Sequence, residues 1–407
     1  MKNMSYKIGM VSLGCSKNQV DAEMMLSSLS LSGYEITPNE SEADVIIVNT
    51  CGFIEEAKRE AIENIIEAAN YKKEGNLKAL IVTGCLAERY RDQIMSEIPE
   101  IDAVVGIGKN SDIAKIVSDS LGGSKQCAFD DKVKLDINAD RILSTPSYMA
   151  YLKIAEGCDN CCTYCAIPAI RGRYRSRTIE SIVAEAKKLS DRGVKELVLI
   201  AQDPTRYGED LYGKSELVTL LTELCKIEGL HWIRTLYTYP ERITDELLDV
   251  VASNDKLVKY FDIPLQHCDA KILKHMNRQG NRAELTTLIN KIRTKIPDVT
   301  IRTTFLTGFP GETEQEFEEL CEFVKEIRFD SVGCFAYSAE EGTPAAEFPN
   351  QVEDQIKYDR AENIMNEQSI ISAQKNEEKI GTTIEVLIEG YDDYIKCYFG
   401  RSAADAP

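Results

Sequence analysis

Four cysteines crowd the stretch GCDNCCTYC, Gly157 to Cys165, in which Cys158, Cys161, Cys162 and Cys165 fall within eight positions. Thiols so dense could form disulfides, bind zinc or ligate an iron–sulfur cluster. Disulfides fit poorly. The N-terminal MKNMSYKIGM enters a strand-like pattern at once with no apolar leader core, so a reducing cytoplasmic setting is expected for all 13 cysteines. Zinc also fits poorly. Structural zinc sites hold two C-x2-C pairs about 12 to 20 residues apart so that a hairpin can fold back. Here the pairs abut at Cys161 and Cys162, and neighbouring sulfurs would have to aim at one ion.

Iron–sulfur ligation remains, with two triplets available. Cys158, Cys161 and Cys165 give C-x2-C-x3-C, part of a ferredoxin-like run, but that run carries a fourth thiolate and a proline where this chain has Ala166. Cys158, Cys162 and Cys165 give C-x3-C-x2-C, three ligands from one loop. Three thiolates on a four-iron cube leave one iron without a protein ligand, and an open position separates catalytic metal sites from closed structural ones.

A second set of cysteines emerges from the elements around it. YKIGMVSLGC, ADVIIVNTC and LKALIVTGC each read as a strand ending at a cysteine, Cys15, Cys51 and Cys85, and each precedes a helical pattern. The cysteines recur at intervals of 36 and 34 residues, one β-α unit each time. The apolar runs VIIVN and ALIVT suit strands buried on both faces of a parallel sheet. Ligands in such sheets sit outside the carboxyl ends of the strands, so the fold can gather all three thiols.

Residues 121–147 lose periodicity and read as a connector containing Cys127. From Tyr148 onward strands and helices alternate again in six β-α units, two short of a full barrel. Polar and glycine-rich residues gather after those strands, where an α/β barrel places its site. Cys225 and Cys321 fall inside helices as packing residues. TTIEVLIEGYDDYIKCYFGRSAADAP then alternates as β-structure, with a turn expected near Gly390 to Asp393, and stops before a small β-barrel could close. The fold class is therefore α/β: a parallel-sheet domain, a partial (β/α)6 TIM-like barrel and a truncated small β-module. The domains are read as 5–122, a linker at 123–146, a barrel at 147–376 and a partial module at 379–407.

Composition excludes other classes. No apolar run is long enough to span a membrane, so no membrane partner is expected. The net charge of −19 disfavours nonspecific nucleic-acid binding and suits a basic partner. Six barrel-like units argue against a simple electron carrier, which needs no substrate-sized mouth. Arg171, Arg173, Arg175 and Arg177 alternate in RGRYRSR, as a solvated basic strand or as a contact to a carboxylate or RNA. Gln202, Asp203, Gln266 and His267 follow barrel strands and are candidates to line a site.

GCDNCCTYCAIP resembles the signature loop of the radical S-adenosylmethionine enzymes, and lies after the first barrel strand as it does there. The resemblance implies Cys158, Cys162 and Cys165 as ligands of a 4Fe-4S cluster, with Cys161 the bystander. It implies that the vacant iron binds S-adenosylmethionine, whose reductive cleavage yields a radical that abstracts hydrogen from an unactivated carbon. Tyr164, Gln202, and Gly308 and Gly311 of TGFPGE would lie near that nucleotide. SLGCSKN, NTCGFI and VTGC are similar to the amino-terminal domain of the methylthiotransferases, which implies that Cys15, Cys51 and Cys85 hold a second 4Fe-4S cluster. The last segment resembles the first half of a TRAM domain. One branch of that family modifies an N6-modified adenosine of tRNA and reads GCQMN at its first cysteine; this chain reads GCSKN. IAQDPTRYGEDLYG, YTYPERITDELL and DIPLQH are similar to the other branch, which adds a methylthio group to the β-carbon of an aspartate in the twelfth protein of the small ribosomal subunit. An electron donor such as flavodoxin or ferredoxin is then implied. No catalytic side chain beyond the ligands stands out.

Overall fold

The computed structural model describes residues 6–75 and 77–407. The readings of a missing leader and of a domain start at residue 5 lie outside the described residues. The chain forms two compact units. The first runs to Cys161 and includes Cys165–Arg177 and Glu340–Gly342; the second holds Cys162–Tyr164, Thr178–Ala339 and Thr343–Pro407.

In the first unit, strands β1 (Lys7–Ser12), β2 (Glu35–Ile36), β3 (Val45–Thr50), β4 (Ala79–Gly84), β5 (Ala103–Val105) and β6 (Gln126–Ala128) form one parallel sheet. The order is β2-β1-β3-β4-β5-β6, so the direction of winding reverses between β1 and β3. Every residue of β3 and β4 is buried, as continuous apolar runs require. Alternate side chains serve opposite faces. Ile46, Val48, Leu80 and Val82 pack with Ile65, on helix α2, whereas Val45, Ile47 and Ile81 pack with Met25 and Leu29, on helix α1. At about 1.5–3 kcal/mol for each fully buried aliphatic side chain, these two layers dominate the stability of the sheet.

Helix α1 (Ser16–Leu31) follows β1, α2 (Glu55–Glu74) follows β3, α3 (Cys85–Tyr90) and α4 (Asp92–Glu97) follow β4, and α5 (Ile113–Leu121) follows β5. The single helix read in AERYRDQIMSEI is thus broken. Arg91 adopts a left-handed conformation (φ 43°), its guanidinium held 3.2 Å from the Glu88 carboxylate. Within the stretch read as a connector, Gln126–Ala128 pairs with β5, so Cys127 sits on an edge strand. The unit continues through β7 (Met149–Lys153), β8 (Ala155–Glu156), helix α6 (Ile167–Arg171) and β9 (Arg175–Ser176), with β8 and β9 antiparallel.

The second unit opens with α7 (Ile179–Asp191), capped by the Thr178 hydroxyl. Strands β10 (Glu196–Ile200) and β11 (Trp232–Thr235) pair in parallel, as do β12 (Tyr260–Gln266), β13 (Thr300–Thr307) and β14 (Ser331–Ala336). Helices follow each strand, so that with β7 ahead of them in the chain the barrel segment alternates as six β-α units. Strands β15 (Val386–Asp392) and β16 (Cys397–Ser402) form a hairpin. Its turn falls at residues 393–396, later than expected. Gly390 instead marks a register shift after Ile388, because the Phe399 ring lies against it where any side chain would go.

Candidate functional site

Cys15 and Cys51 follow β1 and β3, and Cys85 begins α3 directly after β4. All three therefore stand at the carboxyl edge of the sheet, around the winding reversal where open α/β folds take their ligands. Each has a glycine beside it that permits close approach. A methyl group on Gly14 (φ 86°) would stand 2.7 Å from Cys51 Cβ and 3.0 Å from its sulfur. One on Gly52 would lie 2.7 Å from Leu86 Cα, and one on Gly84 (φ 94°) 2.7 Å from Asn49 Oδ1. Only glycine meets both demands, a positive φ and no Cβ, at residues 14 and 84. Asn18 Nδ2 completes the frame, donating to the Leu13 carbonyl at 2.7 Å and approaching those of Asn49 and Thr50 at 3.3 Å.

The thiols differ in environment. Cys15 is exposed, Cys51 partly buried and Cys85 buried. Crowding around the Cys15 sulfur works to raise its pKa, but Lys17, Arg171 and the backbone N–H groups of Asn18 and Lys17 outweigh it, so its pKa falls below the usual thiol value. Burial raises that of Cys51. Burial pushes Cys85 up to about 12 despite the Arg171 guanidinium beside it. Arg171 lowers the pKa of all three thiols, and Cys15 and Cys51 raise that of Cys85. Among the described residues no group of three His, Cys, Asp or Glu is arranged around a single metal ion. A four-iron cube spreads three thiolates over three irons and does not need that arrangement. The donor set, three thiols with a buried cation beside them, fits such a cluster.

The four arginines of RGRYRSR neither form a solvated strand nor share one role. Arg171 is buried on α6, 2.9 Å from Asp21 Oδ2 and 3.0 Å from Glu156 Oε1. Arg173 is exposed and pairs with Asp159 at 2.9 Å. Arg175 donates to the Lys132 and Val133 carbonyls, and buried Arg177 donates to Asn138 Oδ1 and the Lys153 carbonyl.

The cysteine loop occupies the ten residues between β8 and α6. Gly157 (φ 76°) starts it with its Cβ position pressed against the Arg173 carbonyl. The Cys158 N–H donates to the Gly172 carbonyl at 3.1 Å. Cys158 and Cys162 are buried and Cys165 half-buried, whereas Cys161 is exposed in a left-handed conformation (φ 52°) rare for a residue with a side chain. Within the second unit the Cys162 sulfur lies 3.7 Å from the Tyr239 hydroxyl, and the Arg278 guanidinium packs over the Tyr239 ring at 4.2 Å. Burial disfavours the Arg278 charge, but Tyr164, Tyr239 and Cys162 more than offset that and raise its pKa above the usual value. Three thiols from one nine-residue stretch of sequence are a donor set that such a cluster can take. Tyr239 falls within the YTYPERITDELL segment without having been singled out there, and Arg278, beyond the helix Ala270–His275, carried no signal.

Tyr164 packs against a cluster of Ile272, Met276, Phe309, Tyr337 and Ala345, of which Phe309 belongs to the glycine-rich stretch. Gly308 (φ 70°) donates its N–H to both Glu312 carboxylate oxygens at 3.0 Å, and Gly311 (φ 84°) faces open space. Gln202 is half-buried two residues beyond β10, while buried Asp203 accepts from the Thr205 N–H at 3.1 Å as a local cap. Gln266 takes a positive φ of 71° at a β-bulge. His267 is buried, and burial lowers its pKa to about 4. At 3.6 Å from Glu312 the neutral imidazole is too far for a hydrogen bond.

Comparison with known proteins accords with this layout. Residues 7–106 match Uncharacterized protein family UPF0004, and residues 152–324 match the Radical SAM superfamily. The chain resembles the solved structure of the radical S-adenosylmethionine methyltransferase TsrM from Kitasatospora setae, which has cobalamin and a 4Fe-4S cluster bound. The TM-score is 0.61 at 14% identity over 84% of this chain and 77% of that one. The cobalamin-dependent radical enzyme OxsB gives 0.54 at 12% identity over 97% and 64%. At these identities the likeness establishes the fold alone, a mixed α/β architecture, while the class is given by the Radical SAM superfamily match over residues 152–324. Curated relatives narrow the class. The ribosomal protein uS12 methylthiotransferase RimO of Clostridioides difficile (strain 630) is 53% identical over 98% of this chain and 90% of its own length. That of Geobacter sulfurreducens is 47% identical over 100% and 92%. The chain belongs to the RimO family, and it is a methylthiotransferase.

Proposed function

We propose that the chain attaches a methylthio group to the β-carbon of an aspartate in ribosomal protein uS12, using S-adenosylmethionine and two 4Fe-4S clusters. Cys15, Cys51 and Cys85 would hold one cluster, and Cys158, Cys162 and Cys165 the other. The observation that carries the reading is the gathering of three widely separated cysteines at one sheet edge, in a chain whose separate cysteine loop falls within a radical S-adenosylmethionine match. The name of the relatives supports uS12 as substrate, and the net charge of −19 suits a basic partner.

When bound, the loop cluster and S-adenosylmethionine would supply the carbon–hydrogen activation that no side-chain acid or base can reach. The chain's own residues bind and orient. With Cys161 exposed, Cys158, Cys162 and Cys165 would be the three thiols that hold the loop cluster. Tyr164, Gln202, Gly308 and Gly311 would border that nucleotide, the glycines by letting backbone approach closely. Residues 5–122, 147–376 and 379–407, joined by 123–146, would act as cluster domain, barrel and partial TRAM module in the cytoplasm. A flavodoxin or ferredoxin would donate electrons. Among the described residues no helix is long and apolar enough to cross a membrane.

The test is anaerobically rebuilt protein mixed with S-adenosylmethionine, reductant, purified uS12 and, separately, tRNA. The expected result is 5′-deoxyadenosine together with a methylthio group on a uS12 aspartate by mass spectrometry. Modification of tRNA but not uS12 would overturn the substrate, and absence of 5′-deoxyadenosine the chemistry.

A further inference from the structure

Four side chains of opposite charge are buried together in the first unit, and none belongs to a cysteine motif. Lys153 on β7, Glu156 on β8, Arg171 on α6 and Asp21 on α1 each have 2% or less of their side chain exposed. Lys153 Nζ pairs with Asp21 and lies 2.8 Å from Glu156 Oε2. Arg171 Nη1 closes the square on the other oxygens of both carboxylates, at 2.9 and 3.0 Å. Two cations meet two anions, so the group is neutral before any thiolate is counted. Desolvating four charges is expensive, and well-packed apolar residues of the same volume are often no less stable. Stability alone is therefore a poor reason for the cluster.

Its position gives a better one. The remaining arm of Arg171, Nη2, reaches 3.7 Å to the Cys85 sulfur and 3.4 Å to Asn18 Oδ1. Asn18 is the residue that ties the ends of β1 and β3 together beside Cys15 and Cys51. At the other side, Glu156 Oε1 accepts from the Gly157 N–H at 3.2 Å, immediately before Cys158. Arg171 Nε is buried with no protein partner, a spare donor on the same guanidinium. One planar cation thus spans the distance from the amino-terminal thiols to the root of the cysteine loop. One arm, Nη1, is fixed by two carboxylates that lysine balances, which sets the orientation of the other.

We propose that Arg171 is a positioning residue for the amino-terminal cluster: it donates to the Cys85 sulfur, holds that side chain in its ligating orientation and raises the cluster's reduction potential. Hydrogen bonds to cluster sulfurs and nearby charge are established determinants of such potentials. A cation stabilises the reduced state, which carries one more negative charge. Asp21, Glu156 and Lys153 act through Arg171 by fixing it.

The inference rests on the reading of Cys15, Cys51 and Cys85 as cluster ligands, and its test separates the two. In a full-length background with Cys158, Cys162 and Cys165 changed to alanine, only the amino-terminal cluster can form. The iron content and the midpoint potential, followed by electron spin resonance, are measured for that background and with Arg171→Gln or Arg171→Lys added. The expected result is iron in all three and a lower potential in Arg171→Gln. A tenfold change in the one-electron equilibrium is about 59 mV. Arg171→Lys, which keeps charge but cannot serve both carboxylates and the sulfur, should fall between and provides the reading if Arg171→Gln does not fold. Absence of iron in the background protein overturns the ligand assignment and the proposal with it. Full iron with an unchanged potential in the variants overturns the role of Arg171 alone.

Discussion

Replacing Gly84 with alanine asks two separate things of the chain, and their costs can be separated. Gly84 has φ 94° and ψ −160°, a region that residues with a side chain essentially never occupy, at a cost of roughly 1–3 kcal/mol. The new methyl group would also lie 2.7 Å from both the Thr50 nitrogen and Asn49 Oδ1, and closer still to the Thr50 carbonyl oxygen. Two of these neighbours are backbone of a central strand and cannot swing aside, so overpacking adds about 1–3 kcal/mol. The sum, roughly 2–6 kcal/mol, is a large share of the 5–15 kcal/mol typical of a folded domain. Gly193, after α7, is the control. Its φ is 98°, but a methyl group there meets nothing within 4 Å, so Gly193→Ala should cost only the backbone part. The assay is the urea midpoint of both variants by circular dichroism, with iron per chain after anaerobic rebuilding. Gly84→Ala is expected to fall below Gly193→Ala by on the order of 1–3 kcal/mol and to lose iron from the amino-terminal site, because Cys85 is the next residue. Equal midpoints and equal iron in the two variants would refute the claim that close approach at Gly84 builds the site.

Other outcomes follow from the same geometry. Glu196 is fully buried and accepts from Arg234 Nε at 2.9 Å and Arg401 Nη2 at 2.7 Å. Glu196→Ala leaves a buried cation uncompensated and should lower stability by about 3–5 kcal/mol in urea unfolding; an unchanged midpoint would remove the pair from the account of the second unit. His267 is buried neutral with a pKa of about 4, against about 6.5 when unfolded. The unfolded chain therefore binds the extra proton first, so stability is full above about pH 6.5 and declines as pH falls towards 4, by on the order of 3 kcal/mol. His267→Gln should flatten that slope between pH 7 and 5, and identical slopes would count against it. Cys161→Ser should keep wild-type iron while Cys162→Ser loses the loop cluster; iron lost from Cys161→Ser would make the exposed thiol a ligand.

Three of the six strands were legible because burial on both faces leaves a continuous apolar run, as in Val45–Val48, and because a cysteine follows each of β1, β3 and β4. The six β-α units followed from alternation that tertiary contacts do not disturb. What was not legible depends on pairing across the chain. Arg171 and Asp21 are 150 residues apart, and nothing local to RGRYRSR distinguishes the arginine that is buried from the one that is exposed. The break at Arg91 was hidden because arginine is a good helix former, and the contacts that accompany its positive φ, to Glu88 and to the Phe129 ring, include one 38 residues away. Strand β6 is only three residues long, too short for a period to register. His231 lies 3.0 Å from Glu385, 154 residues further along, a pairing that no local spacing signals.

The two cysteine sites are made by opposite means, and this explains why one was a motif and the other a pattern. Cys158, Cys162 and Cys165 need only a short loop, so their spacing is itself the specification, and a glycine at the root with one backbone hydrogen bond to Gly172 secures it. Cys15, Cys51 and Cys85 have no fixed spacing to read. They converge because three strands end at the same edge and glycines let the loops touch. A site of the second kind exists only while the sheet does, and its ligands cannot be held by local geometry. It therefore needs a tie that is itself part of the fold. Arg171, anchored on carboxylates from α1 and β8 and pointing its free arm at Cys85, supplies that tie from the segment that also carries the cysteine loop.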